Sequence, residues 1–123
     1  MQMATETTHR DLAAWREAMT LVETIYQDTS RFPKDEMFGL AIQMRRAAVS
    51  VPSNIAEGAA RNSSRELAQF LGIACGSLAE LETQIELAIR LGYLQTNAEA
   101  VSQASLVGRL VNGLRKSIRA LNN

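Results

Sequence analysis

The sequence predicts an all-α fold, an antiparallel up-down-up-down four-helix bundle. Three observations carry this reading. Apolar residues recur at three- and four-residue steps in four successive segments, and no segment shows the period-two alternation of a strand. Only two prolines and seven glycines punctuate 123 residues, too few for a turn-dense β architecture. Short connections between the helical segments favour antiparallel neighbours.

Helix 1 is expected from Asp11, a suitable N-cap, to about Thr29, with Leu12, Trp15, Met19, Val22 and Tyr26 as its apolar stripe. Ser30-Arg31-Phe32-Pro33 breaks it, because proline cannot continue a helix and biases the residue before it toward extended geometry. Helix 2 follows with Met37, Ala41, Met44, Ala48, Val51 and Ile55, and Gly58 suits a left-handed C-cap. Pro52 lies inside it; the ring removes a backbone donor and crowds the carbonyl of Ala48, which predicts a kink within one helix.

Ser63 and Glu66 fit a capping box, in which a serine side chain and a carboxylate three residues later satisfy each other's backbone donors. Helix 3 then carries Leu67, Leu71, Ala74, Leu78, Leu81, Ile85 and Ala88 in a heptad rhythm and ends at Leu91, with Gly92 behind it. Asn97 suits the cap of helix 4, whose stripe is Ala104, Val107, Val111, Leu114, Ile118 and Leu121.

At 46% hydrophobic and 21% charged residues, the chain has ordinary globular composition. Its length suits one domain, here residues 11–123, preceded by a polar, disordered tail at 1–10. The single Cys75 excludes an internal disulfide framework. The first residues lack a signal-peptide pattern, and no apolar run approaches the ~18 residues of a membrane span, so a cytoplasmic location and no membrane partner are expected.

Thirteen Lys and Arg balance thirteen Asp and Glu, so no global field draws the protein to anionic partners. The balance conceals a segmental pattern. Residues 11–30 carry four acids and one base, 31–65 three acids and six bases, 66–99 five acids and one base, and 100–123 four bases and no acid. Around an antiparallel ring of four helices, every neighbour would then have the opposite sign.

Helix 3 carries more apolar surface than a bundle seam requires: from Leu67 to Ala79 there is no charged residue. With the heptad positions facing the core, Phe70, Gly72, Ile73 and Gly76 lie on other sides, and Ala68, Gly72 and Gly76 form a ridge of small residues. Ala68, Phe70, Gly72, Ile73 and Gly76 are therefore the candidate contact with a second subunit.

Chemistry finds few footholds. The one histidine, His9, lies in the tail, and the Glu-x-x-His pairs of carboxylate-bridged di-iron bundles are absent. Cys75 has no basic neighbour in sequence to activate it. There is no phosphate loop and no nucleophile elbow, so neither an enzyme nor a cofactor or metal is expected. Ser50, Ser53, Asn54 and Glu57 gather around Pro52, where hydrogen-bonding the kink is their simplest role. Arg45, Arg46, Arg61 and Arg65 on helix 2 and its corner are the candidate nucleic-acid contacts, because guanidinium groups suit phosphate, although no aromatic residues interleave with them for base stacking.

Several runs resemble one family: Trp15, Phe32-Pro33, Glu36-Met37-Phe38-Gly39-Leu40, Gln43-Met44-Arg45-Arg46-Ala47-Ala48, Ser50-Val51-Pro52-Ser53-Asn54-Ile55-Ala56-Glu57-Gly58 and Ala74-Cys75-Gly76-Ser77-Leu78-Ala79-Glu80-Leu81. They are similar to the four-helix bundle proteins encoded in intervening sequences of bacterial 23S ribosomal RNA genes, over about Leu12 to Leu94. The resemblance implies an all-helical bundle, assembly into a five-membered ring and no established catalysis. It also implies a relation to accessory proteins of diversity-generating retroelements, basic pentamers thought to bind nucleic acid and a reverse transcriptase. The family motif maps onto Arg45, Arg46, Ser50, Pro52, Asn54, Glu57 and Gly58.

The expectation is therefore a non-enzymatic homo-oligomer, pentameric by resemblance, acting as a structural or binding platform. The alternative is an RNA- or DNA-binding protein that uses the arginines of helix 2 and its corner.

Overall fold

A computed structural model describes residues 8–122, so residues 1–7 of the expected tail lie outside it. The chain forms four helices, α1 (Ala13–Thr29), α2 (Leu40–Ala59), α3 (Ser64–Arg90) and α4 (Glu99–Asn122), and no strand occurs among the described residues. Backbones meet in the cyclic order α1, α2, α3, α4 and back to α1, while neither diagonal pair touches. The core in the middle combines alanines, including Ala14, Ala18, Ala48, Ala74 and Ala104, with Leu21, Ile25, Met44, Val51, Ile55, Leu71, Leu81, Val107 and Val111. Small side chains in every helix let the axes approach closely, and the larger ones fill the space between them.

The start of α1 departs from expectation. Thr8 and Asp11 close a capping box around a short 3-10 turn at His9–Asp11, so Asp11 serves that turn and α1 begins after Leu12. Thr8–Arg10 are thus ordered against the bundle: the His9 ring meets Trp15 edge-on at 4.9 Å, and the Arg10 guanidinium lies 5.6 Å from the Trp15 ring.

The buried stripe of α1 also differs. Ala14, Ala18, Leu21 and Ile25 face the core, whereas Met19 and Tyr26 are exposed and Trp15 and Val22 half-covered. The large residues lie beside the core stripe, because alanines at 14 and 18 bring α1 close to its neighbours.

Helix α2 starts three residues later than expected, and Met37 is outside it and exposed. A 3-10 turn at Lys34–Glu36 intervenes, and the Glu36 carboxylate accepts the Leu40 N–H at 3.2 Å, which sets the first turn. One helix spans Pro52, the single-helix part of the expectation. Gly58 is not its C-cap: the helix continues to Ala59, and Ala60 closes it in ordinary right-handed geometry.

At α3, the Ser63 hydroxyl accepts the Glu66 N–H at 3.1 Å, but the Glu66 carboxylate bonds the Ser63 hydroxyl instead of its backbone, so only half of the capping box forms. All the expected heptad residues from Leu71 to Ala88 are buried. The end of α3 behaves as read: Gly92 sits at φ +85°, and the Gly92 and Tyr93 N–H groups donate back to the carbonyls of Ile89 and Ala88. Helix α4 begins at Glu99, two residues beyond Asn97. Its buried stripe adds Ala100 to Ala104, Val107 and Val111, while Leu121 at the far end is 77% exposed.

The alternating segment charges do not become close ion pairs between helices. Four pairs occur among the described residues; Arg31–Asp28, Arg61–Glu57 and Arg90–Glu86 are three or four residues apart, and Arg61–Glu66, at 3.9 Å, links the α2–α3 corner to the first turn of α3. The seams are filled by alanine and aliphatic side chains, which leaves the charges on outer faces where such pairs add little.

Candidate functional site

The motif of α2 resolves into three groups. Arg45 turns back onto the end of α1. Its Nε donates to the Thr29 hydroxyl at 2.8 Å, its Nη2 to the Tyr26 carbonyl at 3.3 Å, and its guanidinium lies 4.6 Å from the Tyr26 ring. Thr29 is fully buried and donates its own proton to the Ile25 carbonyl at 2.6 Å. A cation on the last carbonyls of α1 is favourable by charge as well as by hydrogen bonding. Arg46, one position on, is exposed and has no acidic partner within salt-bridge distance among the described residues.

The second group ties α2 to α3. The Asn54 amide donates to the Ser50 carbonyl at 2.8 Å and to its Oγ at 3.0 Å, and the Ser50 and Ser77 hydroxyls bond at 2.8 Å. These contacts serve Ser50 and the α2–α3 seam rather than the Ala48 carbonyl beside Pro52. Ser53 is exposed.

The third group closes the α2–α3 corner. Arg61 bonds Glu57 at 3.0 Å and lies 4.9 Å from the Phe70 ring. Below it Gly58 is buried where the two helices touch: a Cβ there would meet the Phe70 Cβ at 2.8 Å and the Leu67 backbone carbonyl at 3.3 Å. Gly58 is therefore required for close helix approach rather than for a turn. Arg65 is exposed and forms no salt bridge among the described residues.

Of the four candidate nucleic-acid contacts, then, Arg45 and Arg61 make contacts within the chain, and Arg46 and Arg65 are exposed. The candidate subunit contact on α3 also divides. Phe70 covers Gly58, and Gly72 faces Arg115, whose Nη2 would stand 3.7 Å from a Cβ at that position. Ala68 is half-buried, whereas Ile73 is 51% exposed and Gly76 has open space around it.

Sequence reasoning missed a partly exposed apolar surface between α1 and α2. The bulky residues of α1 beside the core stripe line one side of two adjoining hollows against α2, which share Val49 and together form a groove. Trp15, Met19 and Val22 face Val49, Pro52 and Ala56 in its first part, and Tyr26 faces Ile42, Arg45, Arg46 and Val49 in its second. Met19, Tyr26 and Val49 are each 40% exposed or more. The signal was present as a second stripe, Ala14-Ala18-Leu21-Ile25, one position before the bulky one on the same helix.

Two further contacts join residues distant in sequence. Cys75 Sγ lies 3.6 Å from Arg115 Nη1 and 3.5 Å from Asn112 Oδ1, so a base does adjoin the thiol, from α4. The Tyr93 hydroxyl, after α3, donates to Glu36 Oε2 at 3.0 Å before α2, and its ring packs 5.2 Å from that of Phe32. Among the described residues no three His, Cys, Asp or Glu side chains gather as metal ligands, and no helix is long and apolar enough to cross a membrane.

Set against known proteins, the chain matches at residues 10–113 the sequence model of a family described as 23S rRNA-intervening sequence protein. That match spans all of α1 to α3 and more than half of α4. No curated protein matches the chain.

Proposed function

The chain belongs to the 23S rRNA-intervening sequence protein family, and from that premise we propose a non-enzymatic, cytoplasmic protein that assembles with copies of itself into a ring, pentameric by family resemblance, as a structural or binding platform. The bundle in this reading is antiparallel and up-down-up-down. The contacts Gly72–Arg115, Cys75–Asn112 and Leu78–Gly108 support it, since they step forward along α3 while stepping back along α4. Gly58–Phe70 and Ser50–Ser77 do the same for α2 and α3.

One observation carries the oligomer: along the α1–α2 groove Met19, Tyr26 and Val49 stay 40% exposed or more, even with Arg45 against the Tyr26 ring and His9 and Arg10 beside Trp15. Exposed apolar side chains gathered along one groove suit a contact between copies. The arginine-based alternative, nucleic-acid binding at α2 and its corner, loses support because Arg45 is bonded to the end of α1 and Arg61 is paired with Glu57 and laid against the Phe70 ring. Light scattering on a sizing column tests the proposal. A mass several times the 13.5 kDa of one chain is expected at tens of micromolar, and a monomer refutes it.

A further inference from the structure

We propose that the α1–α2 groove of one copy receives the outer ridge of α3 of the next copy, so that every subunit uses two different surfaces. The inference rests on the oligomeric reading above and adds which faces meet.

The ridge is the side of α3 opposite its buried heptad. Ile73, Gly76, Glu80, Thr83 and Leu87 follow one another at three- and four-residue steps, and all are exposed. Ile73 is 51% and Leu87 45% exposed, with Gly76, Glu80 and Thr83 between them. At 1.5 Å per residue the ridge from Ile73 to Leu87 runs about 21 Å and the groove from Trp15 to Tyr26 about 16 Å, so the lengths are compatible.

Shape and charge select this pairing. Two concave grooves pressed together would leave a void between them, whereas a convex helix face fills one. The charged residues lining the groove are bases, Arg45 and Arg46, and Arg46 forms no salt bridge among the described residues. The ridge and its flank carry Glu80 and Glu82, which likewise form no salt bridge among the described residues. Because groove and ridge are different surfaces, the contact is heterologous, and repetition of it generates a ring when the rotation closes.

Site-directed crosslinking tests the assignment in a Cys75→Ser background, with cysteine placed at Val49 or Met19 on one chain and at Leu87 on a second, differently tagged chain. After the two are mixed and treated with a short bismaleimide, the expected product joins the two kinds of chain. A single chain carrying both Val49→Cys and Leu87→Cys should give a ladder of covalent oligomers. Groove-to-groove dimers, or no product from either groove position while light scattering still shows an oligomer, overturn this interface and leave the oligomer standing. A monomeric Cys75→Ser parent, alongside a monomeric unsubstituted chain, overturns the oligomer itself.

Discussion

Arg45 Nε donates to the buried hydroxyl of Thr29 at 2.8 Å, across 16 residues of sequence. The same guanidinium reaches the Tyr26 carbonyl and covers its ring, so this arginine fastens the C-terminal turn of α1 to α2. Replacement by alanine is expected to cost about 2 kcal/mol of unfolding free energy, the scale of hydrogen bonds to a charged donor plus a cation–π contact. Lysine should recover only part of it, because a point donor cannot serve both acceptors. Arg46→Ala should stay within about 0.5 kcal/mol. Urea denaturation at one fixed protein concentration checks all three.

Gly58 and Gly113 predict opposite responses to alanine. At Gly58 the new methyl would press on the Phe70 Cβ and on Leu67 backbone, whereas at Gly113 nothing lies within 4 Å. Helix propensity favours alanine by about 1 kcal/mol at both positions. At Gly58 overpacking of roughly 1–3 kcal/mol opposes it. Gly113→Ala should therefore raise the melting temperature and Gly58→Ala lower it, as read by circular dichroism.

Tyr93 should give the protein an alkaline limb of its own. Its hydrogen bond to Glu36, with burial and the nearby Glu36 and Asp35 charges, raises the phenol above its ordinary value of 10.0. A group raised on folding stabilises below its unfolded value and loses that contribution as pH climbs through the folded one. Stability should thus fall above about pH 10 more steeply in the wild type than in Tyr93→Phe. Matching slopes in the two proteins would refute the link between the loops before α2 and after α3.

These contacts mark where the sequence was legible. The heptad of α3, the Schellman ending at Gly92 and the passage of one helix through Pro52 follow from local chemistry, and each was readable. The face of α1 was not, because periodicity weights large side chains and the core side of α1 is partly alanine. Gly58 reads as a cap from its place near a helix end, although its role depends on Phe70 in the next helix. Arg45 reads as a phosphate ligand until Thr29 is brought beside it, and Cys75 as unaccompanied until α4 supplies Arg115. In each case a residue 12 or more positions away decided the role.

Trp15 supplies an intrinsic probe of assembly. It is the one tryptophan, half-covered within the chain, and it lines the groove proposed to receive α3. Burial in an interface removes water from the indole. Its emission should therefore move to the red on dilution through the dissociation range and lie to the red in Val49→Glu at concentrations where the wild type is assembled. An emission maximum independent of concentration and of that substitution would place Trp15 outside any interface.

The most direct test is the mass in solution, measured by light scattering for the wild type and Val49→Glu side by side at tens of micromolar. A closed assembly for the wild type, five chains of 13.5 kDa by the family resemblance, together with dissociation of a still-helical Val49→Glu, is the predicted result. A monomeric wild type, or an assembly indifferent to a charge in the groove, would contradict it.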